Sequence, residues 1–198
     1  MIFNIATLHN KFPSHKNIIQ KIQTEIKNKR LYRIKRNVYS DDIEKDCLVL
    51  ANYTYGPSYI SFEYALYYYD LIPEHVNVIT SAVYNKNKNK TFLTAELSLE
   101  YRHVPKDVFN YCIDIVKNES GINYRIATKE KALCDELYSK YPVRSIKDLE
   151  IMLYEDLRID KEDLKAMDLN MLIELAPMYH SNTLNVFSKY IKEYILNE

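Results

Sequence analysis

Between Lys16 and Lys29, Ile18, Ile19, Ile22 and Ile26 recur at helical spacing, while Lys16, Asn17, Gln20, Lys21, Gln23, Thr24 and Lys27 fill the intervening positions. One apolar stripe of this period predicts an amphipathic helix, with Ser14 as its N-cap after the break at Pro13. Ahead of it, Ile2, Phe3, Ile5, Ala6 and Leu8 predict one short helix. Behind it, residues 31–34 and 38–40 are β-like runs around Lys35-Arg36-Asn37. They predict a hairpin whose turn uses an Asn able to take positive φ. Helix, basic helix, basic hairpin is the layout of a winged helix-turn-helix over residues 1–40. In that layout the second helix enters the DNA major groove and the wing follows the adjacent backbone. The same pattern also fits a plain helix-and-hairpin unit stacked on a larger core. Either way, some forty residues are too few to be stable alone, so this unit must share core with the rest.

Residues 41–198 predict a mixed α/β domain ending in helices, which makes the whole chain α+β. Asp41, Asp42, Glu44 and Asp46 mark a connection, followed by a short apolar run at residues 47–51 and a turn at Tyr55-Gly56-Pro57-Ser58. Phe62, Ala65, Leu66 and Tyr69 lie on one helical face, and Pro73 forbids continuation. Residues 76–127 read as strands, including a hairpin of residues 111–116 and 122–127 across Asn118–Gly121. Thr128 and Ser145 are the expected N-caps of helices at residues 129–138 and 146–157. Two amphipathic helices, 161–176 and 181–197, complete the chain.

Charge divides the chain where the pattern does. The first forty residues hold nine Lys/Arg and one acid, Glu25, for a formal +8. With 27 basic and 27 acidic residues in all, residues 41–198 carry 18 and 26, or −8. A basic end beside an acidic body is the electrostatic footprint of a polyanion partner, here double-stranded DNA. The candidate DNA-binding residues are Lys16, Asn17, Gln20 and Lys21 on the second helix and Arg33, Lys35 and Arg36 on the wing.

Composition excludes several classes of chemistry. Two glycines, Gly56 and Gly121, cannot make a glycine-rich phosphate loop. Cys47, Cys112 and Cys134 are scattered and odd in number, reading as thiols in a reducing compartment rather than as a disulfide framework. His9, His15, His75, His103 and His180 have no zinc-site spacing. No signal peptide and no membrane-length apolar run is visible, so the expected location is the cytoplasm, with no membrane partner. Neither a catalytic set, a metal site nor a cofactor is expected. The rival from another class is a metal-dependent nuclease built on Asp114, Lys117, Glu130 and Lys131. Against it, Glu130 sits in the first turn of a helix, where an acid opposes the helix dipole. The other rival is a protein-interaction module without DNA binding. The tyrosines at residues 64–69 read as core rather than as a base-stacking platform.

Three stretches carry a family resemblance: Arg30-Leu31-Tyr32-Arg33-Ile34-Lys35-Arg36-Asn37-Val38-Tyr39, residues 59–73 with Ser61, Ala65 and Leu66 before Leu71-Ile72-Pro73, and residues 125–135 with Glu130-Lys131-Ala132-Leu133-Cys134-Asp135. In this order the chain resembles the AbiEi family of antitoxins and repressors from abortive-infection, type IV toxin–antitoxin systems. Asn37 stands where that family usually has Gly, and Asp70 where Gly is common. The resemblance implies a winged-helix DNA-binding end on an antitoxin domain, autorepression at the chain's own promoter, and no enzymatic activity. It also implies counteraction of a nucleotidyltransferase-like toxin without a stable complex. Ser61, Ala65, Leu66, Glu130, Lys131 and Asp135 are the antitoxin-motif positions it singles out.

Overall fold

Side-chain caps set the start of the first two helices. Asn4 accepts from the Thr7 N–H (2.9 Å) while Thr7 Oγ1 accepts from the Asn4 N–H (2.8 Å). This reciprocal cap separates a two-residue strand, β1 (Ile2–Phe3), from α1 (Ile5–Lys11). Asn17, not Ser14, caps α2 (Ile18–Lys27), accepting from the Gln20 N–H at 3.1 Å. The predicted hairpin forms as β2 (Tyr32–Lys35) and β3 (Val38–Ser40), with Asn37 at φ 65° in its turn. β1 pairs with β3, giving an antiparallel sheet of order β1-β3-β2. This is a computed structural model, and it describes residues 1–196.

Residues 41–56 depart from the sequence reading. Asp42 accepts from the Lys45 N–H (3.2 Å) and opens a helix, α3 (Ile43–Thr54). Its buried residues, Ile43, Asp46, Val49, Leu50, Ala51 and Thr54, are spread around the helix. A helix packed on both the small sheet and the larger one has no single stripe, so its contiguous apolar run lacked helical period.

The body is a six-stranded mixed sheet of order β6-β7-β5-β4-β9-β8. Its strands are β4 (Ser58–Ile60), β5 (Ile79–Val83), β6 (Lys90–Leu93), β7 (Ser98–His103), β8 (Ile113–Lys117) and β9 (Asn123–Ala127). β5 and β7 run parallel, as do β4 and β9, and the remaining pairs are antiparallel. Two helices leave the sheet's central strands and pack on each other: α4 (Phe62–Tyr68) after β4, and α5 (Lys129–Ser139) after β9. Thr128 caps α5 as predicted, and Ser145 caps α6 (Ile146–Glu150), which widens into a π-helical stretch to Asp156. The predicted helix at 161–176 is broken into α7 (Lys161–Lys165) and α8 (Leu169–Leu175), because Asp168 accepts from the Met171 N–H (2.9 Å) and starts a new helix. A 3₁₀ turn at Ala176–Tyr179 follows, and α9 (Asn182–Tyr190) continues as a π-helical stretch over Ile191–Ile195. The last residues of the predicted 181–197 helix reach Asn197, outside the described residues.

Two buried clusters result. The smaller, Phe3, Leu8, Ile22, Leu31 and Tyr39, lies wholly within residues 1–40. Ile34 belongs instead to the large core of the body. Ser40 Oγ donates to Asp46 at 2.9 Å and Lys35 Nζ donates to the Thr54 carbonyl, so the hairpin is also tied to α3 by polar contacts.

Asn37 and Asp70 both have positive φ, 65° and 58°, Asp70 lying just past the end of α4. A Cβ is strained in this region, and helices commonly end on a Gly there. The two positions are not equivalent. Asn37 Oδ1 also accepts the Ile5 N–H at 2.8 Å, joining the hairpin turn to α1, whereas the exposed Asp70 has no such side-chain bond among the described residues. Asp70→Gly should therefore raise stability by about 0.5 kcal/mol, and Asn37→Gly should lower it by about 1 kcal/mol as the Ile5 N–H loses its acceptor. Urea midpoints of the two variants test this; equal shifts would refute the distinction.

Candidate nucleic-acid interface and the buried motif network

The basic residues of the N-terminal unit separate into two groups. Lys16, Lys27, Lys29, Arg30, Arg33 and Arg36 are exposed and, among the described residues, stand in no ion pair. Three others are engaged. Lys11 reaches Asp41 at 3.3 Å. Lys21 lies 2.7 Å from Glu25 and 5.1 Å over the Phe12 ring, on the inward side of α2. Lys35 is half-buried on Thr54, and burial, helped by the charge of Lys90, holds its ammonium below the usual lysine range.

The seven residues singled out by sequence are thus placed differently. Lys16, Gln20, Arg33 and Arg36 are exposed. Asn17 is exposed, but its carbonyl oxygen is occupied as the cap of α2. Lys21 and Lys35 are correctly assigned to α2 and the hairpin, yet both are turned inward to internal partners, because half the surface of each element is needed for packing. Lys27, Lys29 and Arg30, at the end of α2 and just beyond it, are exposed cations outside the seven; their positive charge is the available signal.

The motif residues of the body are all buried. Ser61 sits between β4 and α4, at the N-cap position, but makes no cap bond. Its hydroxyl donates instead to Asp135 Oδ2 at 2.6 Å. Thr80 of β5 takes over the capping role: its Oγ1 accepts the Tyr64 N–H (3.1 Å) and donates to the Ser61 carbonyl (2.7 Å). Phe62, the next residue, has φ 57° and is fully buried with the Arg102 guanidinium 5.1 Å from its ring centroid. One turn along α5, Lys131 Nζ lies 2.8 Å from Asp135 Oδ1. The Tyr179 hydroxyl lies 2.5 Å from both Lys131 Nζ and Asp135 Oδ1, and Tyr59 donates to Asp135 Oδ2 at 3.0 Å. The Asp135 carboxylate therefore accepts three hydroxyls and one ammonium, none accessible to water. Burial first, then the Asp135 charge, pushes the Tyr59 and Tyr179 phenols well above their usual range.

This network brings Ser61, Lys131 and Asp135 together from two motif stretches seventy residues apart. Ala65 and Leu66 are core of α4. Glu130 points elsewhere, accepting the Asp168 N–H at 3.1 Å, so it anchors the start of α8 as well as occupying a helix first turn. All six are buried: Ser61, Lys131 and Asp135 join α4, α5 and the 3₁₀ turn, Ala65 and Leu66 pack in the core, and Glu130 ties α5 to the start of α8. The nuclease grouping does not assemble: Asp114 is exposed on the edge strand β8, while Glu130 and Lys131 are engaged as above. Among the described residues, no three His, Cys, Asp or Glu side chains are placed to hold a metal ion.

A second polar cluster lines a cleft of about 440 Å³ between α4, β7 and the end of α5. Arg102 pairs with Glu63 and Glu100, both at 2.8 Å, and Lys140 lies 2.7 Å from the buried Glu136. Burial and the neighbouring Glu63 charge push the Glu136 carboxyl up to about 7, against the pull of Lys140 and Arg102. A carboxyl raised from 4.5 stabilises the fold most below that value, and this contribution is lost as pH rises through about 7. Glu136→Gln should accordingly be more stable than the parent at pH 8, with the advantage shrinking toward pH 4.5. Paired urea titrations at the two pH values test the sign; a constant difference would rule out Glu136 as the titrating group.

No protein-family model matches this chain, and neither does any curated protein. Among solved structures, JHP933 from Helicobacter pylori is 15% identical, with 78% of this chain and 93% of that one covered and a TM-score of 0.33. A candidate nucleotidyltransferase from H. pylori is 14% identical, with 78% and 94% covered and a TM-score of 0.34. Neither likeness is strong enough to assign a fold or an activity. The chain is an α+β protein in its own right, and no helix among the described residues is long and apolar enough to cross a membrane.

Proposed function

We propose that this chain is a DNA-binding regulator of the antitoxin type, with residues 1–40 as the DNA-binding module and residues 41–198 as the antitoxin body. The observation that carries the reading is the coincidence of charge and architecture in the first forty residues. Six exposed cations outside any ion pair among the described residues lie on a unit ordered β1-α1-α2-β2-β3 with a sheet of order β1-β3-β2. That order suits a winged helix-turn-helix that begins at its first strand, with α2 entering the major groove and Arg33 and Arg36 beside the phosphates. The AbiEi resemblance supplies the rest: autorepression, and a nucleotidyltransferase-like toxin counteracted without a stable complex. The buried network supports it indirectly, because the two more specific motif stretches meet at one structural centre.

The reading is tested by binding of the full chain to its own upstream promoter DNA. If the six exposed cations meet phosphates, affinity should fall roughly a thousand-fold between about 50 and 200 mM salt. Salt-insensitive binding, or none, excludes the module as a DNA reader. Rescue of cells from the toxin encoded beside the gene tests the antitoxin half separately.

A further inference from the structure

The N-terminal unit also carries an apolar groove that DNA contact does not explain. Ile5 at the start of α1, Ile19 and Ile26 on α2, and Tyr39 on β3 line it, with Arg33 and Arg36 at its rim. It encloses about 230 Å³. Ile19 is 62% exposed and Ile5 39%, next to an isoleucine stripe that is otherwise packed inward. These two isoleucines leave apolar surface in water beside the smaller of the two cores, surface that a partner could cover.

Size, floor and rim select the occupant. The volume is below the roughly 300–1,000 Å³ typical of small-molecule pockets. An apolar floor offers nothing to a phosphate, which needs donors along its whole path. A second copy docked on this face would bring two units of formal charge +8 together. A helix with apolar anchors on one face and carboxylates on its flanks matches both floor and rim, and it meets a unit of formal charge +8. We infer that this groove docks an acidic amphipathic helix of a partner protein, its apolar side chains covering Ile5 and Ile19 and its acids meeting Arg33 and Arg36. Since the same two arginines face phosphates in the proposed DNA complex, helix and DNA exclude each other; that exclusion, unlike the docking, rests on the DNA-binding reading.

The test uses the full chain and two labelled helical peptides with an identical leucine stripe, one flanked by Glu and one by Lys, followed by fluorescence anisotropy at low salt without DNA. The Glu peptide should bind about tenfold or more tightly than the Lys peptide. In Arg33→Glu/Arg36→Glu the preference should reverse, a gain that misfolding cannot produce. Ile19→Asp, at an exposed helix position, should abolish binding of both peptides while leaving the urea midpoint near that of the parent. Equal binding of the two peptides, no binding of the Glu peptide, or binding indifferent to Ile19→Asp overturns the proposal. So does a finding that Ile19→Asp changes only base preference in DNA binding or only self-association. Added Glu peptide should then displace promoter DNA; peptide binding by a chain that binds no DNA would leave the groove standing and remove the DNA-binding reading.

Discussion

Asp135→Ala should cost about 3–5 kcal/mol of stability. The substitution leaves the Lys131 ammonium without its counter-ion and the Ser61, Tyr59 and Tyr179 hydroxyls without their shared acceptor, in a site closed to water. A domain of this kind has only about 5–15 kcal/mol in total, so much of the protein should be unfolded or insoluble at growth temperature. Removing the pair together is a different matter. Lys131→Met with Asp135→Leu takes out both charges, and replacing a buried pair by apolar side chains of similar volume is often close to neutral. The double variant should therefore recover at least half of the loss, measured by urea unfolding at neutral pH. Tyr179→Phe, which deletes one hydroxyl and leaves the ion pair, should cost about 1–2 kcal/mol. If Asp135→Ala costs under about 1 kcal/mol, the network is not what holds α4 to α5. Any loss of toxin rescue in these variants should track the amount of folded protein, because none of the residues is exposed.

The second large effect is on DNA. Reversing Lys16, Arg33 and Arg36 to Glu removes three of the six exposed cations and sets three acids in their place. The log–log salt slope, about −5 for six phosphate contacts, should shrink to about −3 or less, and promoter affinity should drop at least a hundred-fold at low salt. All three side chains are exposed, so the fold should persist. Lys35 is left alone: on the Thr54 carbonyl, its reversal would act on the seam between hairpin and α3 rather than on DNA. Toxin rescue by the reversed protein, expressed from an independent promoter, should be retained. A folded, soluble variant that loses rescue together with DNA binding would show that the two activities are not divided between the basic end and the acidic body.

Local signals in the chain were enough for the hairpin around Asn37, the strands of residues 76–127, and the helices that start after Thr128 and Ser145. Each depends on contacts within a few residues: a cap, a turn, an alternation of apolar positions. The charge division at residue 40 is likewise a property of the sequence alone. What depended on distant partners could not be read there. α3 lacked a helical stripe because it is packed on two sides, and the start of α8 is held from a distance by Glu130, which accepts the Asp168 N–H. Lys21 and Lys35 counted as charges in the sequence, and only packing decided that they face Glu25 and Thr54 rather than solvent. The same holds at the motif centre. The resemblance picked out Ser61, Lys131 and Asp135 as residues, but not as neighbours; Tyr59 lay in the same stretch without being singled out, and Tyr179 lay outside all three. Tyr179 arrives on a 3₁₀ turn more than forty residues beyond Asp135, and no pattern of local spacing encodes a hydrogen bond at that range. The sequence by itself determined the elements whose caps, turns and alternation are local, and where the charge lies. The tertiary structure alone decided which polar groups are removed from water, because burial is a property of the elements that close over a residue and not of the residue.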